Sequence, residues 1–150
     1  MPSELIPVFT VGFTKKTAAQ FFEKLRVAGI KRVVDVRLNN VSQLAGFSKR
    51  DDLRYFLKEL LRVDYTEAPL LAPTHRLLDA YRKNMGRWED YERDFLRLME
   101  ERHIEDRIDP AILAGGCLLC SEDTPHHCHR RLVVEYLQRH WGNLDIKHIT

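Results

Sequence analysis

Residues 8–36 read VFTVGFTKKTAAQFFEKLRVAGIKRVVDV, and the period of their apolar residues changes twice. VFTVGF (8–13) is a short β-prone run that ends at Gly12 and Thr14. From Thr14 to Gly29, Ala18, Phe21, Phe22, Leu25 and Ala28 recur at offsets of three and four, the stripe of a helix with one buried face. Thr14 or Thr17 is placed to cap that helix, and Gly29 stands where a left-handed C′ residue belongs. IKRVVDV (30–36) is rich in β-branched residues and is bounded by Arg37-Leu38-Asn39-Asn40. Strand, helix and strand in about thirty residues make a βαβ unit, which predicts parallel pairing and a right-handed crossover.

The alternation continues outward. Ser48-Lys49-Arg50-Asp51 resembles a capping box with Asp in place of Glu, and it opens a helix with Leu53, Phe56, Leu57, Leu60 and Leu61 on one stripe. Residues 63–67 suit a short strand, and APLLAPTH (68–75) is a proline-punctuated loop. Thr74 is placed to cap a helix that reaches about Met85 before Gly86. A further helix over 88–103 turns Trp88, Tyr91, Phe95, Leu98 and Met99 inward. After the Asp109-Pro110 turn, AILAGGCLLC (111–120) is the most buried strand candidate. Residues 130–140 form a helix that buries Leu132, Val133, Tyr136 and Leu137, and LDIKHIT (144–150) alternates like a strand. The expectation is one three-layer α/β/α domain over 1–150 with a mostly parallel sheet. Ligands of such sheets bind outside the carboxyl ends of the strands. That rule selects three segments: Gly12 to Thr14, Asp35 to Arg37, and Cys120 to Arg130.

Composition sets outer bounds. The chain has 150 residues, 44% hydrophobic and 31% charged, enough to bury a core without staples. No repeat stands out, no apolar run is long enough to cross a bilayer, and MPSELIPVF lacks the basic and apolar regions of a secretory signal. Three cysteines, an odd number clustered in one short segment, do not make a disulfide framework, so a reduced cytosolic compartment is expected. A formal charge of +2 gives no global field for nucleic acid, so any anion site must be local.

The chemistry concentrates in LLCSEDTPHHCHRR (118–131). Cys117 and Cys120 have CxxC spacing, but residues three apart on a strand point to opposite faces, so Cys117 reads as a core residue. Cys120 stands at the strand's carboxyl end. Cys128 falls where the next helix begins, and free N–H groups and the dipole there favour a thiolate. His129 and Arg130 act in the same direction, and a guanidinium beside a helix N-terminus also suits a phosphate or carboxylate. Two alternatives use the same residues. Zinc would take Cys120, Cys128 and one or two of His126, His127 and His129, although no standard finger spacing matches. A reversible disulfide would form between Cys120 and Cys128 if their Cα atoms come within about 7 Å. Glu122 faces the same side as Cys120 if the strand continues, as a general base or as a solvated loop carboxylate.

LLCSEDTPHHCHRRLVVEYL resembles the signature of the DUF488 family, an apolar strand followed by C-x-E, a short loop, and C-H-R-R leading into a helix. FTVGFTKKTAAQFFEKLRVAGIKRVVDVR is similar to the family's opening, FSKRDDLRYFLKELLRVDYTEAPLLAPT to its middle segment, and DIKHI to its terminal strand. The resemblance implies a motif pattern on Asp35, Arg37, Cys120, Glu122, Cys128, His129 and Arg130, and it carries no reaction with it. Cys117, His126 and His127 lie outside the pattern. The chain departs from the family after V-D-V-R, where LNNVSQLAG replaces a basic or proline-containing run.

Asp35 and Arg37 admit two readings: a structural pair that pins the loop, or a catalytic carboxylate with an anion-binding arginine. Together the residues lead to an expected thiol-centred hydrolase or transferase acting on a small anionic substrate, phosphate- or carboxylate-bearing and including nucleotides. Cys120 or Cys128 is its nucleophile, His129 or Glu122 its acid or base, and Thr14, Asp35, Arg37 and Arg130 its substrate contacts. No cofactor, resident metal or membrane is called for. The alternatives are a non-catalytic nucleotide- or nucleic-acid-binding module, and a metal- or redox-responsive Cys/His site. Trp88, Tyr91 and Phe95 read as core, the many arginines as solubility, and His75 as a surface-loop histidine in preference to a crevice residue.

Overall fold

The computed structural model describes residues 4–40, 46–121 and 127–150. Five strands form one sheet: β1 (Ile6–Gly12), β2 (Arg32–Asp35), β3 (Asp64–Glu67), β4 (Gly116–Cys120) and β5 (Leu144–His148), in the order β3-β2-β4-β1-β5. Every pairing is parallel. β1 and β2 are joined through α1 (Ala18–Ala28) but are not neighbours, because β4 lies between them. The reason is burial: all five residues of β4 are buried, and a strand apolar on both faces belongs at the centre of a covered parallel sheet.

Helices cover both faces. α1 and α2 (Arg50–Phe56), with the π-helical turn Leu57–Leu61 that follows α2, pack Phe21, Phe22, Leu25, Leu53 and Leu57 on Val11, Phe13, Val33, Cys117 and Leu119. On the other face lie α3 (His75–Arg82), α4 (Trp88–Arg102), α5 (Ile104–Arg107), α6 (Pro110–Leu113) and α7 (His129–Trp141). Their Phe95, Met99, Leu132, Val133 and Leu137 cover Val8, Val34, Val36, Leu118 and Cys120. Successive β4 residues thus alternate between the two cores, which puts Cys117 and Cys120 on opposite faces. Each fully buried Leu or Phe contributes roughly 1.5–3 kcal/mol.

The ends of α1 are as its sequence dictates. The Thr17 side chain accepts from the Gln20 amide while the Gln20 side chain accepts from Thr17, a reciprocal capping box. Gly29 closes the helix at φ 71°, a conformation that other residues adopt at a cost. Thr74 caps α3 by accepting from the Leu77 amide.

Three local expectations change. Ser48 makes no capping box: it is buried in the 3-10 turn Gly46–Ser48, and Lys49 heads α2 without a side-chain bond. α3 stops at Arg82, short of Met85, which takes a positive φ of 53°. Residues 111–120 are not one strand, because Asp109 accepts from the Ala111 amide and Pro110 opens α6, so that β4 starts only at Gly116. Proline at a first helical position with a capping aspartate before it favours a helix over β extension.

Candidate functional site

The carboxyl ends of β2 and β4 open into a crevice of about 300 Å³. Register sets its floor: Gly12 pairs with Cys120 and Asp35 with Leu119, so the three strand ends stop at one level. Its walls come from Arg37 after β2, from His75 and Arg82 on α3, from Trp88 and Tyr91 on α4, and from Cys120, His127, Cys128 and His129.

Asp35 and Arg37 form the buried pair at the end of β2. Arg37 Nε and Nη2 donate to Asp35 Oδ1 and Oδ2, each at 2.8 Å, and the Arg37 amide donates to Oδ1 at 3.1 Å. The Tyr65 hydroxyl donates to Oδ2, and the guanidinium lies 5.6 Å from the centre of the Phe13 ring. Arg37 is only 6% exposed. Its Nη1 is buried and has no hydrogen-bond partner among the described residues. A buried guanidinium nitrogen without an acceptor carries a desolvation cost that a bound anion would relieve.

Cys120 and Cys128 are joined by a disulfide, with Cα atoms 7.4 Å apart. Neither sulfur is a nucleophile in that form. Arg130, fully buried, donates from Nη1 to the Cys120 sulfur at 3.2 Å. It stands behind Cys120 rather than on the crevice wall, which Arg37 does line. Cys128 is the N-cap of α7, with no side-chain cap bond.

His129 opens α7 with Nε2 2.6 Å from the Val36 carbonyl oxygen. A carbonyl only accepts, so Nε2 carries the proton and Nδ1 keeps a lone pair. Burial holds the imidazole at a pKa of about 4, against the opposing pull of the Val36 bond. The ring is therefore neutral at pH 7 with its proton committed to the backbone. That suits a lone-pair donor and does not suit a general acid.

Thr14 sits outside the crevice wall. Its amide donates to the Ser121 carbonyl at 3.0 Å and its hydroxyl bonds the same oxygen, which ties the end of β1 to that of β4. Glu122 lies outside the described residues, as does His126. Burial raises the thiol pKa of Cys117 well above its usual value, consistent with an inert core residue.

Three wall residues, Arg82, Trp88 and Tyr91, carried no functional weight in the sequence reading. Arg82 looked like one of many surface charges, and Trp88 and Tyr91 like core. His127, weighed only as a zinc ligand, stacks on Trp88 at 4.8 Å between ring centres. Trp88 and Tyr91 stack in turn at 5.2 Å. A helical stripe says which face points inward, not whether that face meets a core or a crevice.

Cys120, Cys128 and His129 thus meet Arg37 at one crevice, and the family model described as domain of unknown function DUF488 matches residues 17–137. The chain belongs to the DUF488 family. No curated protein and no solved structure matches the chain. The DUF488 match takes in α1, β2, β4 and most of α7, and hence Arg37, Cys120, Cys128, His129 and Arg130. Among the described residues, no helix of this DUF488 chain is long and apolar enough to cross a membrane.

Proposed function

We propose that this DUF488 protein is a thiol-centred hydrolase or transferase acting on a small phosphate- or carboxylate-bearing substrate. The observation that carries the reading is Arg37: a buried guanidinium, fixed by Asp35, whose Nη1 has no hydrogen-bond partner among the described residues, in a residue that lines the crevice with Cys120 and Cys128. In the dithiol form Cys120 is the nucleophile, because the Arg130 guanidinium beside its sulfur favours the thiolate. Arg37 holds the anionic group, and the Cys120 thiolate attacks the adjacent phosphorus or carbonyl carbon. The leaving group takes its proton from water in the open crevice, and water or an acceptor then releases the bound group. Cys128 serves as the partner that stores Cys120 as a disulfide. The aromatic wall of Trp88, Tyr91 and His127 supports substrates with an apolar or planar part next to the anion, nucleotides among them.

A test needs no substrate. Reduced, chelator-treated protein is alkylated across pH with and without inorganic phosphate, and each cysteine is read by peptide mass spectrometry. Cys120 is expected to react at pH 6 while Cys117 stays inert. Phosphate is expected to slow Cys120 in the wild type and not in Arg37→Lys, whose ammonium cannot hold Asp35 in two-point fashion and still present a third nitrogen. An inert Cys120, or a reaction that phosphate leaves unchanged, defeats the reading.

The non-catalytic alternative, a nucleotide- or nucleic-acid-binding module, draws on Arg37 alone and keeps its site in the disulfide form. It calls for binding that survives oxidation and falls steeply with salt.

A further inference from the structure

Three atoms of metal-ligand type meet on one wall of the crevice. The sulfurs of Cys120 and Cys128 and a ring nitrogen of His129 all lie within 4.8 Å of one another. We propose that in the reduced protein Cys120, Cys128 and His129 hold one zinc-class divalent cation, and that the Cys120–Cys128 disulfide is the oxidised state of the same site, which binds no metal. The proposal goes beyond the function above: it needs the two thiols but neither catalysis nor an anion at Arg37, and with the cation bound Cys120 is a ligand, so the nucleophile of that function is the reduced, metal-free dithiol.

The donor set fits in kind. Two thiolates and an imidazole are ligands for zinc, whereas magnesium and calcium require oxygen ligands, which this trio lacks. Two thiolates neutralise a divalent charge, and the Arg130 N–H on the Cys120 sulfur supplies the outer hydrogen bond that metal-bound thiolates commonly accept.

The histidine fits in its proton. Metal-bound histidines donate the ring N–H opposite the metal, very often to a backbone carbonyl, which fixes the tautomer. His129 already makes that bond from Nε2 to Val36, leaving the lone pair on Nδ1.

The backbone fits in its spacing. The Cα atoms of Cys120 and Cys128, 7.4 Å apart, stand wider than the ~4.4–6.8 Å usual for a disulfide. Two sulfurs around a tetrahedral zinc lie about 3.8 Å apart, given Zn–S bonds of about 2.3 Å, so spreading them onto an ion needs side-chain rotation and no approach of the chains. The ligands come from the end of β4 and the first turn of α7, both regular elements. Three protein ligands leave a fourth position, on the crevice wall that all three residues line, for water or a substrate oxygen.

The redox step balances with a dithiol reductant. The dithiol gives two electrons and two protons to the Cys120–Cys128 bond and becomes a disulfide itself. The cation then displaces the two thiol protons into solvent, so binding is tighter at higher pH.

The experiment uses the full chain, reduced with a phosphine and freed of metal, titrated with cobalt(II) and then with zinc. The expected result is one cobalt per chain, with a thiolate-to-cobalt charge-transfer band that zinc abolishes. Oxidised protein is expected to give no band. Cys120→Ser and Cys128→Ser should each weaken binding at least tenfold, and His129→Gln likewise. Variants that fail to fold do not stall the test, because in the reduced wild type zinc should shield Cys120 and Cys128 from alkylation. Cobalt bound without a charge-transfer band would place the ion elsewhere, for instance on His103, Glu105 and Asp106, and would overturn the proposal. So would alkylation that zinc leaves unchanged. Phosphate protection is read in chelator-treated protein, so failure of the anion reading and failure of the metal site are separately visible.

Discussion

Arg37 meets Asp35 through both of its forked nitrogens at 2.8 Å, two residues along the same chain, with side-chain exposures of 2% and 0%. The pair is both a fold element and a site element. Asp35 fixes a guanidinium whose third nitrogen is still unsatisfied among the described residues. Removing the carboxylate charge leaves a buried cation uncompensated, which typically costs about 3–5 kcal/mol. Asp35→Asn is therefore expected to lose that much stability in urea denaturation at neutral pH. It should also lose the phosphate protection of Cys120, because Arg37 is no longer aimed.

Tyr65 supports the same carboxylate from β3. Burial and the bond to Asp35 push its phenol well above the usual range, so at neutral pH it is a donor. Tyr65→Phe removes one charge-assisted hydrogen bond and should cost about 1.5–3 kcal/mol. Thiol reactivity should not change, since Tyr65 does not line the crevice and packs with the core on the opposite face of the sheet from Cys120. A loss of Cys120 reactivity in this variant would show that the carboxylate does more than position Arg37.

Arg130 separates packing from thiol chemistry. Its Nη1 lies 3.2 Å from the Cys120 sulfur inside the core. Arg130→Met keeps much of the volume and deletes the charge. In folded, reduced protein the alkylation profile of Cys120 should move to higher pH, with the rate at pH 6 falling about tenfold or more. Arg130→Lys should recover part of it. A profile identical to the wild type would mean that the contact does not set reactivity.

Away from the crevice, Tyr136 on α7 donates to Glu105 Oε2 on α5 at 2.6 Å. That bond lowers the Glu105 pKa below its ordinary 4.5, burial opposing it and His140 and His103 assisting. A carboxylate whose folded pKa is depressed adds stability above its unfolded value and loses it as pH falls through the folded one. Tyr136→Phe should thus be less stable than wild type by about 1 kcal/mol at pH 7. Below about pH 4 the gap should narrow as Glu105 protonates in both states. Denaturation curves from pH 7 to pH 3 read the difference directly.

Much of the architecture was legible residue by residue. The Phe21, Phe22 and Leu25 stripe, the Gly29 stop and the alternation that separates Cys117 from Cys120 are local consequences of side-chain period and backbone freedom. A mostly parallel sheet followed from strands and helices taking turns, and the described strands pair in parallel throughout. The order of the strands did not, because insertion of β4 between β1 and β2 depends on which strand is apolar on both faces once all are packed. Ser48 was misread because a cap signal and a 3-10 turn use the same small polar residue.

The candidate site divides along the same line. By itself the sequence determined which residue types are present and roughly where strands end, and so nominated Thr14, Asp35, Arg37, Cys120, Glu122, Cys128, His129 and Arg130, of which Thr14 proved to lie off the crevice wall and Glu122 lies outside the described residues. Only the tertiary structure decided their partners. It put Arg130 behind Cys120, gave the His129 proton to Val36, joined Cys120 to Cys128, and brought Arg82, Trp88 and His127 to the crevice wall. The physical reason is that period and propensity act over a few residues along the chain. A hydrogen bond, a buried charge or a ligand set depends on distances of a few ångströms between segments far apart in the chain, ninety-three residues for His129 and Val36, and packing alone sets those.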